Sequence, residues 1–137
     1  MSHLPLPPAT PFALVLDQPQ GPLPFVPRAG PDGGVLWEYV VDPAHYNPYG
    51  VLHGGVVMAL MDSAMGQAVA AVVHAKGRFN AAAQMSVSFL APVKSGTLRA
   101  RARVVKVGKR LAVVEASASD DAGTLVAMAT ATHSILP

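Results

Sequence analysis

One stretch of the chain combines a carboxylate with a pair of glycines at a spacing that could support catalysis. The segment HGGVVMALMDSAMG begins with His53, Gly54 and Gly55 and is otherwise apolar around Asp62. Burying an ionised carboxylate without a partner is costly, so this position requires an explanation. The glycines lie where a loop turns into a predicted helix, and backbone N–H groups there lack partners within the helix. Such groups can stabilise an oxyanion, and glycine allows a substrate to approach closely.

The elements that position these residues follow from apolar patterning and turn signals. A long apolar helix is predicted from about Gly55 to Ala75, ended by the glycine of KGRFN. Segments rich in β-branched residues predict five strands, at about Gly34–Asp42, Ala81–Leu90, Thr97–Val107, Arg110–Ser119 and Thr124–Ile135. A helix that is apolar on nearly all sides must be covered on most of them. We therefore expect an α+β architecture, with one curved antiparallel sheet that ends in a four-strand meander and wraps around a central helix.

Length and composition restrict the class of protein. The 137 residues suit a single domain, expected over residues 34–137. Residues 1–33 are expected to form a Pro-rich N-terminal arm, because nine of the 13 prolines lie before residue 32 and proline cannot be accommodated throughout a helix or central strand. Charged residues make up only 13%, so a chain of this size is expected to bury surface against copies of itself as a homo-oligomer.

Other partners and compartments are disfavoured by the same composition. The formal net charge of +2 is too small to predict nucleic acid as the main partner. The absence of cysteine excludes disulfides, thiolate metal sites and a cysteine nucleophile. The apolar stretch Gly55–Ala75 is interrupted by Asp62, Ser63 and Gln67, which disfavours insertion in a membrane. We expect a soluble cytoplasmic protein with no membrane partner.

A family resemblance rests on several phrases taken together. The first phrase is NPYGVLHGGVVMALMDSAMG, in which an Asn and a Gly precede HGG and an acid lies eight residues after the first glycine of HGG. A strand ending in SFLAPV and a later Gly-Lys-Arg turn complete the pattern. From about Val35 to the C-terminus the sequence resembles the hotdog-fold acyl-CoA thioesterases of the PaaI (phenylacetate-pathway) type. The resemblance implies a hotdog fold and hydrolysis of an acyl-CoA to free acid and coenzyme A. It also implies an active site at the interface of a dimer, with a tetramer as the expected assembly.

The resemblance also assigns roles to individual residues. Asp62 corresponds to the acid that acts as nucleophile or general base, facing the glycine of a neighbouring subunit, here Gly54 with its oxyanion-binding N–H. Asn47 matches an upstream Asn or Gln whose amide could orient the lytic water or steady the carboxylate. His53 is expected to anchor the loop through hydrogen bonds rather than to act as the base. Gly55 is expected to border the substrate.

The position that carries a Ser or Thr hydroxyl in many relatives is Ala82 in this chain. Gln84, two residues further on, is expected on the same face of the strand, and neighbouring Asn80 is a candidate to replace the hydroxyl. Met58 belongs to a set of helical methionines that pack the core and are candidates to line an acyl pocket.

Coenzyme A is expected to be held electrostatically. Lys106, Lys109 and Arg110 cluster around the Gly108 turn, where relatives place positive groups near the nucleotide phosphates. Arg99, Arg101 and Arg103 alternate along one predicted strand, so all three should project from the same face. Lys and Arg at strand edges also serve to keep a protein soluble. Each of these side chains therefore has two possible roles, phosphate binding or solubility.

Two other functions stay open at this point. One is a non-catalytic acyl-CoA-binding protein on the same fold, which Ala82 keeps in consideration. The other, less favoured, is a hotdog enoyl-CoA hydratase, since His53 followed by two glycines lacks the usual surroundings of a paired His and acid. No separate cofactor is expected, because coenzyme A is part of the substrate, and the histidines show no metal-ligand spacing. The acyl group, the choice between covalent and water-mediated attack and the tetramer packing are not readable.

Overall fold

A six-stranded antiparallel sheet and one long helix make up the described part of the chain. The computed structural model describes residues 24–30 and 34–137. In chain order the elements are β1 (Val26–Ala29), β2 (Val35–Val40), α1 (Gly54–Val73), β3 (Phe79–Phe89), β4 (Thr97–Val107), β5 (Leu111–Ser119) and β6 (Leu125–Leu136). The expected α+β architecture, with a curved sheet around one helix, is confirmed.

The strand order corrects the predicted meander. The sheet runs β1-β2-β4-β5-β6-β3, so only β4, β5 and β6 follow one another as a meander. Strand β3 pairs with β6, where Phe79 lies opposite Leu136, and β2 occupies the free edge of β4, where Val35 lies opposite Ala102. Helix α1 carries the chain across the sheet between β2 and β3, which leaves β3 as an edge strand.

The sheet extends into the segment expected to be an extended arm. Strand β1 pairs with β2, and its Pro27 lies opposite Trp37. Proline lacks an N–H and is tolerated at this position because β1 is the outermost of the described strands. Residues 1–23 and 31–33 of the Pro-rich arm lie outside the described residues.

Helix α1 has one buried face and one open face. Its buried residues form a single stripe, namely Val56, Val57, Leu60, Met61, Ala64, Met65, Ala68, Val69 and Val73. Met58, 36% exposed, and Val72, 41% exposed, lie off this stripe. Only five of the 20 residues of α1 are exposed, so the helix is covered on most sides, as expected, and the open face is narrow. The helix with its short continuation to Lys76 is long and apolar enough to cross a membrane, but half of that stretch is buried inside the protein's own fold.

The start of α1 is set by His53. Its backbone is extended (φ −64°, ψ 133°), and its Nδ1 accepts a hydrogen bond from the Gly55 N–H at 2.7 Å. A Cβ on Gly55 would lie 2.7 Å from that same Nδ1 atom, so the cap requires glycine at this position. At the other end a short 3-10 turn leads to Gly77, whose positive φ of 72° ends the helix as the sequence predicted.

We predict that His53 and Gly55 are energetically coupled. In the wild-type background, His53→Ala should cost about 1 kcal/mol of unfolding free energy, because the cap is lost. In a Gly55→Ala background the same change should cost much less, since the added Cβ already displaces the ring. Urea unfolding of the four proteins measures this coupling. Equal losses in the two backgrounds would show that the cap does not depend on this glycine.

Candidate active site

The first candidate group is the backbone N–H of Gly54 at the start of α1. Gly55 donates its N–H to His53, and Val56 and Val57 donate theirs to the His53 carbonyl oxygen. The Gly54 N–H has no hydrogen-bond partner within residues 24–30 and 34–137. A Cβ at this position would lie 3.2 Å from the Phe89 ring, so the ring closes over the glycine. One donor at the positive end of the helix dipole is therefore available to an oxygen of a ligand, and the donor of Gly55 is not.

Asp62 lies on the open face of α1. Its side chain is exposed in the single chain, one helical turn after Met58. It makes no ion pair or side-chain hydrogen bond with any residue that the structure describes. Within one subunit the carboxylate is solvated by water, so its charge has no cost of burial that a partner would need to offset. Two turns separate it from Gly54 on the same helix.

Asn47 closes the loop that precedes the helix. Its Oδ1 accepts hydrogen bonds from the Tyr49 N–H at 2.9 Å and the Val51 N–H at 3.4 Å, and its own N–H donates to the Val51 carbonyl. Gly50 takes the left-handed conformation (φ 80°) that this tight loop needs. The side-chain oxygen is thus used within the loop, while the side-chain NH₂ has no partner among the described residues.

A buried polar pair lies below α1, and sequence reasoning missed half of it. His133 on β6 is 1% exposed, and its Nδ1 lies 2.8 Å from Oδ1 of Asn80 on β3. The Asn80 side-chain NH₂ donates to the Gly66 carbonyl of the helix at 3.2 Å. Burial lowers the pKa of His133, while the nearby negative charge of Asp62 acts in the opposite direction. In the sequence, the signal for a buried polar site was the polar residue His133 within the alanine-rich strand β6.

Strand β3 contains a bulge that corrects the expected position of Gln84. Ala82 lies opposite His133, whereas Gln84 lies opposite Thr132, because the pairing shifts between them at Ala83. One extra residue reverses the direction of the side chains that follow. Gln84 therefore points away from the helix and donates a hydrogen bond to the Ser86 hydroxyl at 2.7 Å. It cannot replace a hydroxyl at Ala82.

An apolar cavity adjoins Gly54. Its volume is about 360 Å³, and it lies between the loop before α1 and the segment that follows β3. The lining residues are apolar and include Leu52, Val57, Phe89, Leu90 and Pro92. The cavity can hold a hydrocarbon chain whose polar end lies at the helix N-terminus.

Positive side chains gather at one end of the sheet. Lys106, Lys109 and Arg110 line a shared depression at the turn between β4 and β5. Lys76 and Arg78, which follow α1 and were not selected from the sequence, line an adjoining cavity with Lys109. The Arg78 Nη1 donates to the Lys109 carbonyl at 2.8 Å. None of these five cations forms an ion pair within the described part of the chain, so the cluster suits an anionic ligand.

The alternating arginines of β4 share one face, as predicted. They lie opposite Ser119, Ser117 and Glu115 on the side of the sheet away from α1. Arg99 pairs with Asp121 at 2.9 Å and Arg103 with Glu115 at 2.6 Å. These two are engaged in ion pairs, and all three lie on the opposite face of the sheet from Asp62. As for metals, residues 24–30 and 34–137 contain no group of three or more His, Asp or Glu side chains that could bind an ion.

Comparison with known proteins places this arrangement in a family. The sequence profile of the thioesterase superfamily matches residues 49–127, which is more than half of the chain and spans α1 to the start of β6. Human acyl-coenzyme A thioesterase 13 is 31% identical over 97 residues, which cover 69% of this chain and 68% of that protein. Relatives from Saccharolobus solfataricus and Caenorhabditis elegans are 40% and 39% identical over 83 and 82 residues, which are 61% and 59% of this chain. The chain spans about half the length of these two relatives, 54% and 47%.

Solved structures agree with the sequence matches. The BH2602 protein of Bacillus halodurans, solved with CoA, superposes with a TM-score of 0.70 at 32% identity, covering 73% of this chain and 70% of that one. A phenylacetic acid degradation-related protein of Ralstonia eutropha JMP134 gives a TM-score of 0.74 at 35% identity, with coverages of 82% and 85%. The profile match over most of the folded region and these superpositions lead to one conclusion: the chain belongs to the thioesterase superfamily and has its hotdog fold.

Proposed function

We propose that this protein is a thioester hydrolase that cleaves a small aryl-acyl or medium-chain acyl-CoA to free acid and coenzyme A. The single observation that carries the proposal is the pairing of two unengaged groups on α1. These groups are the Gly54 N–H at its start and the Asp62 carboxylate on its open face. The first can stabilise the oxyanion of a thioester, and the second can act as nucleophile or general base.

The two groups cannot serve one carbonyl from within a single subunit. Eight residues of α-helix separate them by about 12 Å along the axis, whereas a reacting carbonyl needs both within about 3 Å. We therefore assign Asp62 of one copy and Gly54 of a second copy to the same site. An active homodimer is the smallest assembly that this arrangement allows.

The surface of the chain suits such an assembly. Among residues 24–30 and 34–137, the 11-residue strand β3 has no neighbour on its outer edge, and such an edge favours pairing with another chain. Large apolar side chains are exposed on or beside it, with Phe79 at 60%, Phe89 at 52% and Leu90 at 53%. The open face of α1 adjoins strand β3. A second copy that continues the sheet from β3 would therefore cover both the edge of β3 and the open face of α1. Assembly beyond the dimer, to a tetramer, is an expectation from the family resemblance.

The chemistry requires no cofactor other than the coenzyme A of the substrate. Asp62 removes a proton from water, or attacks the thioester carbon itself, and the carbonyl electrons move to the oxygen held by the Gly54 N–H. Collapse of this intermediate expels the coenzyme A thiolate. After attack by water, the thiolate takes up the proton held by Asp62. After direct attack, it takes up a proton from the water that then hydrolyses the mixed anhydride formed with Asp62. Asn47 and His53 support the site indirectly, because they fix the loop and the first turn of α1.

The positive cluster suits the coenzyme A moiety of the substrate. The cations around Gly108 carry no acidic partner in the described chain, and a nucleotide with phosphate groups would neutralise them. The name of the human relative and the CoA bound in the Bacillus halodurans structure support this ligand class. The apolar cavity beside Gly54 and the exposed Met58 are the proposed walls for the acyl chain.

One observation favours a second candidate, a non-catalytic acyl-CoA-binding protein. Ala82 presents a methyl group, without a hydroxyl, beside the buried pair of His133 and Asn80. Such a protein would bind acyl-CoA without releasing thiol.

Thiol release from a panel of aryl-acyl and alkyl-acyl-CoA thioesters, with Asp62→Asn beside the wild type, tests the proposal. The substitution keeps the shape of the side chain and removes its charge. We predict that the wild type turns over at least one thioester and that the variant loses about 10²-fold or more in kcat. Binding of acyl-CoA without thiol release by the wild type would support the second candidate instead.

Mixed oligomers in the same assay test whether the site is shared. Gly54→Pro deletes the N–H, and proline is tolerated at the first helical residue after an extended His53. Gly54→Ala adds a similar Cβ next to Phe89 but keeps the N–H, and so measures the steric part of the effect. Refolding an equal mixture of Asp62→Asn and Gly54→Pro chains should restore about a quarter of wild-type activity, because half of the dimers regain one intact site. No recovery would contradict a shared site.

We also predict that the positive cluster acts on KM. Lys109→Gln combined with Arg78→Gln should raise KM for the acyl-CoA about three- to tenfold with little change in kcat, and less so at high salt. The corresponding acyl-pantetheine, which lacks the nucleotide phosphates, should show no such increase. Arg101→Gln is the control, because Arg101 is exposed on the opposite face of the sheet and forms no ion pair with any described residue. An equal increase in KM for both substrates would contradict phosphate binding.

A further inference from the structure

The buried histidine below α1 has one ring nitrogen that the fold does not satisfy. His133 Nε2 is buried in the single chain and has no hydrogen-bond partner among the described residues. An unpaired buried polar atom costs about 1–3 kcal/mol, so such atoms in proteins usually have a function or a bound water. The alanines on the neighbouring strands, Ala82 and Ala112, lie directly opposite His133 and offer it no polar group.

The hydrogen bonds on the other side of the ring define its tautomer. The Asn80 NH₂ is used as a donor to the Gly66 carbonyl, so Oδ1 of Asn80 faces His133 as an acceptor. Nδ1 of the imidazole must then carry the proton, and Nε2 carries a lone pair. Burial keeps the pKa of His133 below its ordinary value of 6.5, so the ring is neutral at pH 7.

Asp62 lies one helical turn before Gly66 on α1. The Gly66 carbonyl accepts the hydrogen bond of Asn80, so the carboxylate lies over the part of the sheet that holds His133. The Asp62 and His133 side chains form no ion pair within 4.0 Å. At neutral pH the Nε2 lone pair and the carboxylate are both acceptors, so neither can donate a hydrogen bond to the other. A water molecule has two O–H donors and can bridge two acceptors separated by about 4.5 Å.

We propose that His133 is a further catalytic residue, whose Nε2 accepts one O–H of the hydrolytic water while Asp62 accepts the other. This inference rests on the proposed function and selects water-mediated over covalent attack. Asn80 acts through His133 as a positioning residue, because it holds the ring against the helix backbone at Gly66. The pair thereby supplies the second contact to the water that the methyl group of Ala82 cannot supply.

The step balances with the groups named. Both O–H bonds of the water point to acceptors, so a lone pair on its oxygen is left to attack the thioester carbon. As the C–O bond forms, one proton passes to the Asp62 carboxylate and the carbonyl electron pair moves to the oxygen beside Gly54. When the C–S bond breaks, the proton on Asp62 goes to the departing thiolate. His133 stays neutral and contributes only a hydrogen bond.

Two substitutions at His133 separate this role from a structural one. The amide of asparagine reaches about as far as Nδ1, so His133→Asn keeps the contact with Asn80 and loses the acceptor at Nε2. The amide of glutamine reaches about as far as Nε2, so His133→Gln keeps an acceptor there and loses the contact with Asn80. We expect His133→Asn to lower kcat about 10- to 100-fold at unchanged KM, and His133→Gln to stay within about fivefold of wild type.

A merely structural role predicts the opposite order, since asparagine preserves the hydrogen bond that holds the strands and helix together. Thermal unfolding of each variant identifies any loss that comes from misfolding. Wild-type kcat in His133→Asn, or a larger loss in His133→Gln, would overturn the inference while the Asp62 dependence keeps the proposed function intact. Absence of thiol release by the wild type would instead remove the proposed function.

A measurement on the wild-type protein covers the case in which both variants fail to fold. The ¹⁵N resonances of the imidazole at pH 7 should show a protonated Nδ1 and an unprotonated Nε2. A proton on Nε2 would make this atom a donor to Asp62 and would overturn the inference. In the active wild type, kcat should fall as the pH drops through the pKa of His133, because protonation removes the lone pair.

Discussion

The hydrogen bond between the His53 ring and the Gly55 N–H determines where α1 begins, and the candidate site depends on that position. A helix has four N–H groups at its start without partners of their own. Here the His53 N–H donates to the His45 carbonyl, the Gly55 N–H to the His53 ring and the Val56 N–H to the His53 carbonyl. The Gly54 N–H has no partner among the described residues. Starting the helix one residue later would move this free donor and turn Asp62 by about 100° around the helix axis. The cap thus defines both the donor and the direction of the carboxylate.

A second constraint comes from having both groups on one rigid element. Because α1 is continuous from Gly54 to Val73, its donor and its carboxylate keep a fixed separation that no side-chain motion can close. The uncovered face of α1 and the long free edge of β3 are therefore related to the proposed chemistry as well as to stability. Surface that would be a liability in a monomer becomes the place where two half-sites meet.

Much of the fold could be predicted from the sequence because its signals are local. The bounds of β4 agree with prediction, the helix ends where a glycine was expected, and the three arginines share a face because their spacing is two. Pairing between distant strands carries no comparable signal, so the position of β3 beside β6 was missed. The bulge at Ala83 was also missed, since three alanines in a row leave no polar pattern from which a change of face could be recognised. His133 was passed over because its partner Asn80 is 53 residues away in sequence.

The bulge in β3 separates the strand into two independent substitution zones. Before Ala83, alternate residues such as Asn80 and Ala82 face the helix, and after it the even-numbered Gln84, Ser86 and Ser88 face the opposite side. A mutation at an even position therefore alters either the buried polar pair or the outer surface, depending only on which side of the bulge it falls. Deleting Ala83 would remove the bulge but keep Ala82 opposite His133 and Gln84 opposite Thr132, so Ser86 and Ser88 would still face outward. The extra residue therefore affects the bend and twist of β3 rather than which of these side chains face the helix.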